Sequence, residues 1–109
     1  MADERWALVT GAAGGIGAAI CRQLAGQGLA VLMLDRDEAA LATAAERVQT
    51  AGGRAEMLAV DVTAPGAATA AMACVQALDG RLDALVNVAG GSGHRPVRTI
   101  EELDDALWE

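Results

Sequence analysis

Lysine, tyrosine and phenylalanine are absent from the 109 residues, and proline, cysteine and tryptophan occur only twice each. A phosphate-loop nucleotidase is excluded by the first absence, because that loop needs a lysine after its glycines to reach the phosphates. With Trp6 and Trp108 as the only aromatics, a core must be packed from Ala, Leu, Val and Met. All 8 basic residues are arginine and stand against 15 acids, and a formal charge of −7 works against a surface that tracks a nucleic-acid backbone. Apolar runs such as Leu29 to Leu34 fall far short of the roughly eighteen residues a membrane-spanning helix requires. The start, Met1-Ala2-Asp3-Glu4-Arg5, lacks the basic-then-apolar layout of a secretory signal, so a cytoplasmic protein is expected. Cys21 and Cys74 lie far apart on apolar helix faces without partners at ligand spacing, which predicts two reduced core thiols.

What is present is ample apolar material, 53% of the residues, in a chain the size of one domain. Trp6 to Thr10 is a short apolar run entering a glycine cluster, which predicts a buried strand and a tight turn. Ile16, Ile20 and Leu24, with Ala19 beside them, predict an inward stripe on a helix stopped by Gly26 and Gly28. Leu29 to Leu34 reads as a central parallel strand covered on both faces, ending at Asp35. Asp37 is placed to cap a helix whose inward residues are Leu41, Ala44, Ala45 and Val48, closed by Gly52 and Gly53. Ala55 to Val60 predicts a third strand ending at Asp61. Thr63 and Pro65 predict the opening of a third helix through Met72, Val75 and Leu78 to Gly80. Leu82 and Ala84 to Asn87 predict a fourth strand. Thr99 and Glu102 form a capping box for a further helix with Ile100, Leu103 and Leu107 on one face. This β–α alternation demands parallel pairing and right-handed crossovers, so the expected fold is an α/β, Rossmann-type, doubly wound parallel sheet in a single domain over residues 1–109.

The segment Thr10-Gly11-Ala12-Ala13-Gly14-Gly15-Ile16-Gly17 falls between a strand and a helix, where backbone N–H groups and the helix dipole hold a pyrophosphate. Gly11 allows the tight turn, Gly15 leaves room for phosphate, and Gly17 lets the helix close on the sheet. Asp35, at the end of the next strand and eighteen residues after Gly17, is placed to accept hydrogen bonds from both hydroxyls of an adenosine ribose. The same carboxylate would repel a 2′-phosphate, so NAD is expected ahead of NADP, with Arg36 next door able to soften that choice.

In its threonine and its spacing this loop resembles the T-G-x-x-x-G-x-G motif of the short-chain dehydrogenase/reductase family. Asp61-Val62 looks like the family's acidic pair that meets the adenine ring, and Asn87-Val88-Ala89-Gly90 resembles its N-N-A-G motif with Val88 in the second place. The resemblance runs along essentially the whole chain and implies an NAD(P)-dependent oxidoreductase that moves a hydride between a nicotinamide and an alcohol or carbonyl. By resemblance, the cofactor-binding residues are Gly11, Gly14, Gly15, Ile16, Gly17, Asp35, Arg36, Asp61, Val62, Asn87, Ala89 and Gly90. The asparagine is expected to steady the central sheet. The family's reaction also uses a serine and a Y-x-x-x-K pair from a later helix, and this chain has neither Tyr nor Lys. No catalytic residue is therefore assigned, the chain by itself is expected to be inactive, and family length implies that it ends near midway of a longer protein. Unfinished apolar surface at the fourth strand and the last helix points the same way.

Ser92 and His94 precede the position of the family's serine and read as a flexible loop at the substrate mouth. Glu101, Glu102, Asp104 and Asp105 read as a solvated helix start favoured by its dipole rather than a metal site. The expected partners are NAD(H), a small alcohol or carbonyl if the chain continues, and further copies of the chain, with no nucleic acid and no membrane. The alternative is a non-catalytic nucleotide-binding or interaction module that offers its sheet edge to a partner. A methyl-donor-binding Rossmann protein fits less well, because its glycine spacing differs and Thr10 precedes Gly11.

Overall fold

The computed structural model describes residues 4–78 and 81–88, and the elements predicted within them are present. Their order is β1 (Arg5–Thr10), α1 (Gly15–Gly26), β2 (Ala30–Asp35), α2 (Glu38–Thr50), β3 (Ala55–Ala59), α3 (Ala67–Ala77) and β4 (Arg81–Asn87). The four strands form one sheet in the order β3-β2-β1-β4, and all three pairings are parallel. The chain thus moves outward from β1 to β3, then crosses back to add β4 on the other side of β1. Strand order reverses between β1 and β4, and at such a reversal a doubly wound sheet opens a crevice at its carboxyl edge.

Composition explains the two-sided core. On one face Ala7, Val9, Val31 and Met33 pack with Cys21 of α1 and with Leu41, Ala44, Ala45 and Val48 of α2. On the other face Trp6, Leu8, Leu32 and Leu34 meet Ala71 of α3, with Cys74, Val75 and Leu78 partly buried around it. The small residues let the helices lie close, and Trp6 is the largest side chain buried among the described residues. Arg54 stacks over Trp6 at 4.9 Å while pairing with Glu4, which covers the amino-terminal end of the sheet.

Three expectations need correction. Ile16 is 71% exposed and Ala19 is exposed, so the inward face of α1 is Gly17 and Cys21, with Leu24 and Ala25 partly buried. The helix is turned this way because Gly17 sits against the glycine loop, where a Cβ would lie 2.1 Å from the Gly11 carbonyl oxygen. Helix α3 begins at Ala67 after Gly66, whose φ of 83° is left-handed, and not at Thr63 or Pro65. Met72 lies on the outer side of α3 at 46% exposure. Strand β4 is longer than expected and slips register opposite Trp6 and Ala7, skipping Asp83. The helix predicted after Thr99, together with Ser92, His94 and the acids of 101–105, lies outside the described residues.

Candidate functional site

The carboxyl ends of β3, β2, β1 and β4 put Asp61, Asp35, the glycine loop and Asn87 in that order along one edge of the sheet. At the loop, Gly11 takes φ of 67° and the Gly14 N–H donates to its carbonyl at 3.3 Å, which folds the chain back into α1. Gly14 is the N-cap of α1 and offers no side-chain bond, and no acid occupies the first turn. The N–H groups of that turn therefore face no competing protein anion, and they carry the positive end of the helix dipole. A Cβ at Gly15 would meet no protein atom within 4 Å, in contrast to Gly17. Space at Gly15 is thus open beside the helix start, and Ile16 is exposed on the same turn.

Asp35 does more than the sequence indicated. Its Oδ2 accepts from the Ala13 N–H at 3.0 Å, and its Oδ1 accepts from the Asp37 N–H at 3.1 Å. One carboxylate therefore ties the glycine loop to the end of β2, next to the backbone bond from Ala12 N–H to the Leu34 carbonyl at 3.0 Å. Each oxygen keeps a further acceptor site. The arrangement holds two hydrogen-bond acceptors rigidly beside an anion-favouring loop, which suits a diol next to a phosphate.

Thr10 links β1 to β4. Its hydroxyl donates to Asn87 Oδ1 at 3.4 Å and accepts from the Val88 N–H at 3.1 Å. The asparagine is thus fastened to the loop's first residue, while Val88 is half-buried and packs against the α1–α2 core. At the opposite end, Val60 N–H donates to the Asp35 carbonyl at 2.9 Å and carries the chain past β3 to Asp61. The Asp61 carboxylate accepts from the side chain and backbone of Thr63, and these bonds, with a smaller contribution from the Arg36 charge, hold it below the usual carboxylate range. Val62 is 43% exposed beside it.

The structure brings together Gly11, Gly14, Gly15, Ile16, Gly17, Asp35, Arg36, Asp61, Val62 and Asn87 on this edge, while Ala89 and Gly90 lie outside the described residues. Sequence reasoning missed Ala13, whose backbone reaches Asp35, and Thr63, which it assigned to a helix start. The Asp-x-Thr spacing is the signal that marks an Asx turn at Asp61. Among the described residues no helix is long and apolar enough to cross a membrane, and no cluster of three metal-ligating side chains occurs.

Comparison with known proteins agrees with this geometry. The chain is 40% identical over 109 residues to the short-chain reductase protein NovJ of Streptomyces niveus, covering all of this chain and 40% of that protein. It is 39% identical over 106 residues to a 3beta-hydroxysteroid dehydrogenase of Mediterraneibacter gnavus, covering 97% of this chain and 38% of that one. The chain therefore spans about two fifths of the length of these relatives. Among solved structures, a variant of actinorhodin polyketide ketoreductase with NADPH superposes with a TM-score of 0.83 at 38% identity, over 99% of this chain and 40% of that one. An NAD+-bound xylitol dehydrogenase superposes with a TM-score of 0.76 at 36% identity, over 84% of this chain and 35% of its own. The family model described as short chain dehydrogenase matches residues 5–109, nearly the whole chain, and the chain belongs to the short-chain dehydrogenase family.

Proposed function

We propose that these residues form the cofactor-binding half of an NAD(P)-dependent oxidoreductase that transfers hydride between a nicotinamide and an alcohol or carbonyl. The observation that carries the reading is the Asp35 carboxylate fastened to Ala13 of the glycine loop, beside an α1 start with uncapped N–H groups. On this reading the pyrophosphate lies at Gly14 to Gly17, the adenosine ribose at Asp35, the adenine toward Asp61 and Val62, and the nicotinamide half toward Asn87, Ala89 and Gly90. When bound, the nicotinamide supplies the hydride acceptor or donor. The residues of this chain hold the dinucleotide and fix its direction across the strand ends. The Tyr and Lys pair that, by resemblance, the family uses for proton transfer is not among these 109 residues. Turnover is thus assigned to a longer protein that supplies that pair.

Between the two nicotinamide cofactors we propose NAD. Both Asp35 oxygens are tethered, so the carboxylate has little freedom to swing aside for a 2′-phosphate, and a fixed negative charge there opposes it. NADP is the second reading, favoured by Arg36, which is exposed next to Asp35 and whose charge already acts on Asp61. The test is direct titration of the chain with NADH and NADPH. NADH binding that falls at least about tenfold in Asp35→Ala, with NADPH weaker throughout, supports the assignment. Equal affinity in the native chain and in both Asp35→Ala and Gly15→Val refutes the site.

A further inference from the structure

Asp61 is fully exposed, yet its carboxylate is not free to turn. Both bonds from Thr63 land on the same oxygen: the N–H reaches Oδ1 at 2.9 Å and the hydroxyl reaches it at 2.6 Å. Among the described residues nothing hydrogen-bonds Oδ2. An exposed aspartate ordinarily samples several orientations, and ordering it on binding costs free energy. Two donors from one neighbour fix the carboxylate plane in advance and leave one oxygen as an unused acceptor.

We propose that Thr63 is a positioning residue for base recognition, holding the Asp61 carboxylate so that Oδ2 accepts from the exocyclic amino group of an adenine. The proposal rests on the reading that the adenosine end of the dinucleotide lies along β3. The placement supports it: Asp61 follows β3, whose last residue, Ala59, pairs with Asp35. The chemistry sets the preference, because an ionised carboxylate only accepts hydrogen bonds. It therefore selects a purine with an amino group at C6 and disfavours one with a carbonyl oxygen there. The same two bonds also keep Asp61 ionised at lower pH than an ordinary aspartate.

The competing role for Thr63 is local. Its turn also brings the Ala64 N–H to the Asp61 carbonyl at 2.9 Å and so shapes the approach to α3. A shaping role alone would change stability and affinity without changing which base is preferred.

The experiment compares dissociation constants of the 109-residue chain for NADH and for reduced nicotinamide hypoxanthine dinucleotide, which carries a carbonyl oxygen in place of the adenine amino group. The native chain is expected to prefer NADH by about tenfold or more, the usual worth of a charge-assisted bond. In Thr63→Val that preference should collapse to about twofold or less, and Thr63→Ser should restore it. A Thr63→Val chain that keeps the full preference, or that weakens both ligands by the same factor, overturns the proposal. Circular dichroism identifies a variant that fails to fold, in which case Thr63→Ala takes its place. Native binding without any base preference removes the role of Thr63 but leaves the cofactor reading standing. A native chain that binds neither dinucleotide overturns the cofactor reading and the Thr63 assignment with it.

Discussion

At the scale of single residues, the glycines of the loop divide into those that serve the fold and those that leave space. Gly17 has no room for a methyl group, since its Cβ would meet the Gly11 carbonyl oxygen at 2.1 Å. We expect Gly17→Ala to destabilise the chain by about 3 kcal/mol, the upper end for overpacking, as measured by urea denaturation. Gly15 meets nothing, so Gly15→Val should leave the urea midpoint nearly unchanged while abolishing NADH binding. If both variants behave alike, the distinction between them is wrong. Cys21 gives a pH signature: burial pushes its thiol up to about 11 from 9.0, with Arg22 opposing slightly. The folded state then binds the proton more tightly than the unfolded state. This contribution is complete below pH 9 and is lost as pH rises toward about 11. Cys21→Ala should remove that loss from a stability profile measured between those limits.

At the scale of elements, α2 is where sequence and structure agree most closely. Asp37 caps it by accepting from the Ala40 N–H at 3.1 Å, and all four predicted inward residues are buried. Asp37→Ala should cost about 1 kcal/mol in thermal or urea unfolding. Strands β1 and β2 were equally legible, because a continuous apolar run has one reading when helices cover both faces. Helices α1 and α3 were only half legible. In α1 the spacing of Ile16, Ile20 and Leu24 suggested a stripe, but close packing at Gly17 decided the rotation, and a glycine contributes nothing to a hydrophobic pattern. In α3 the Thr63 hydroxyl looked like a cap, but Asp61 claims it two residues earlier and delays the helix to Ala67. The site followed the same rule. Residue types at strand ends were visible in the sequence, whereas the bond from Ala13 to Asp35, which joins positions 22 apart, depends on backbone geometry that no side-chain pattern encodes.

At the scale of the whole molecule, the site is assembled by the sheet and not by any one segment, because its residues come from the ends of all four strands. A ligand that binds there should stabilise the whole described unit. At a hundred times its dissociation constant NADH should add about 2.7 kcal/mol, and differential scanning fluorimetry should register a rise on the order of ten degrees. A melting point independent of NADH would contradict the proposed site. Among the described residues the sheet ends in β4 on one side, where Leu85 is 59% exposed, and in β3 on the other, where Met57 is 36% exposed. Such edges favour association of chains, so the titrations belong at low protein concentration.

The clasp between Asp35 and the Ala13 N–H also has a kinetic consequence. A phosphate loop already held in shape by the neighbouring strand β2 requires no rearrangement after encounter. NADH should therefore associate in a single exponential phase whose rate grows linearly with concentration. Asp35→Asn, with the tether weakened, should show a slower second phase that levels off at high ligand, the mark of a loop that must first find its conformation.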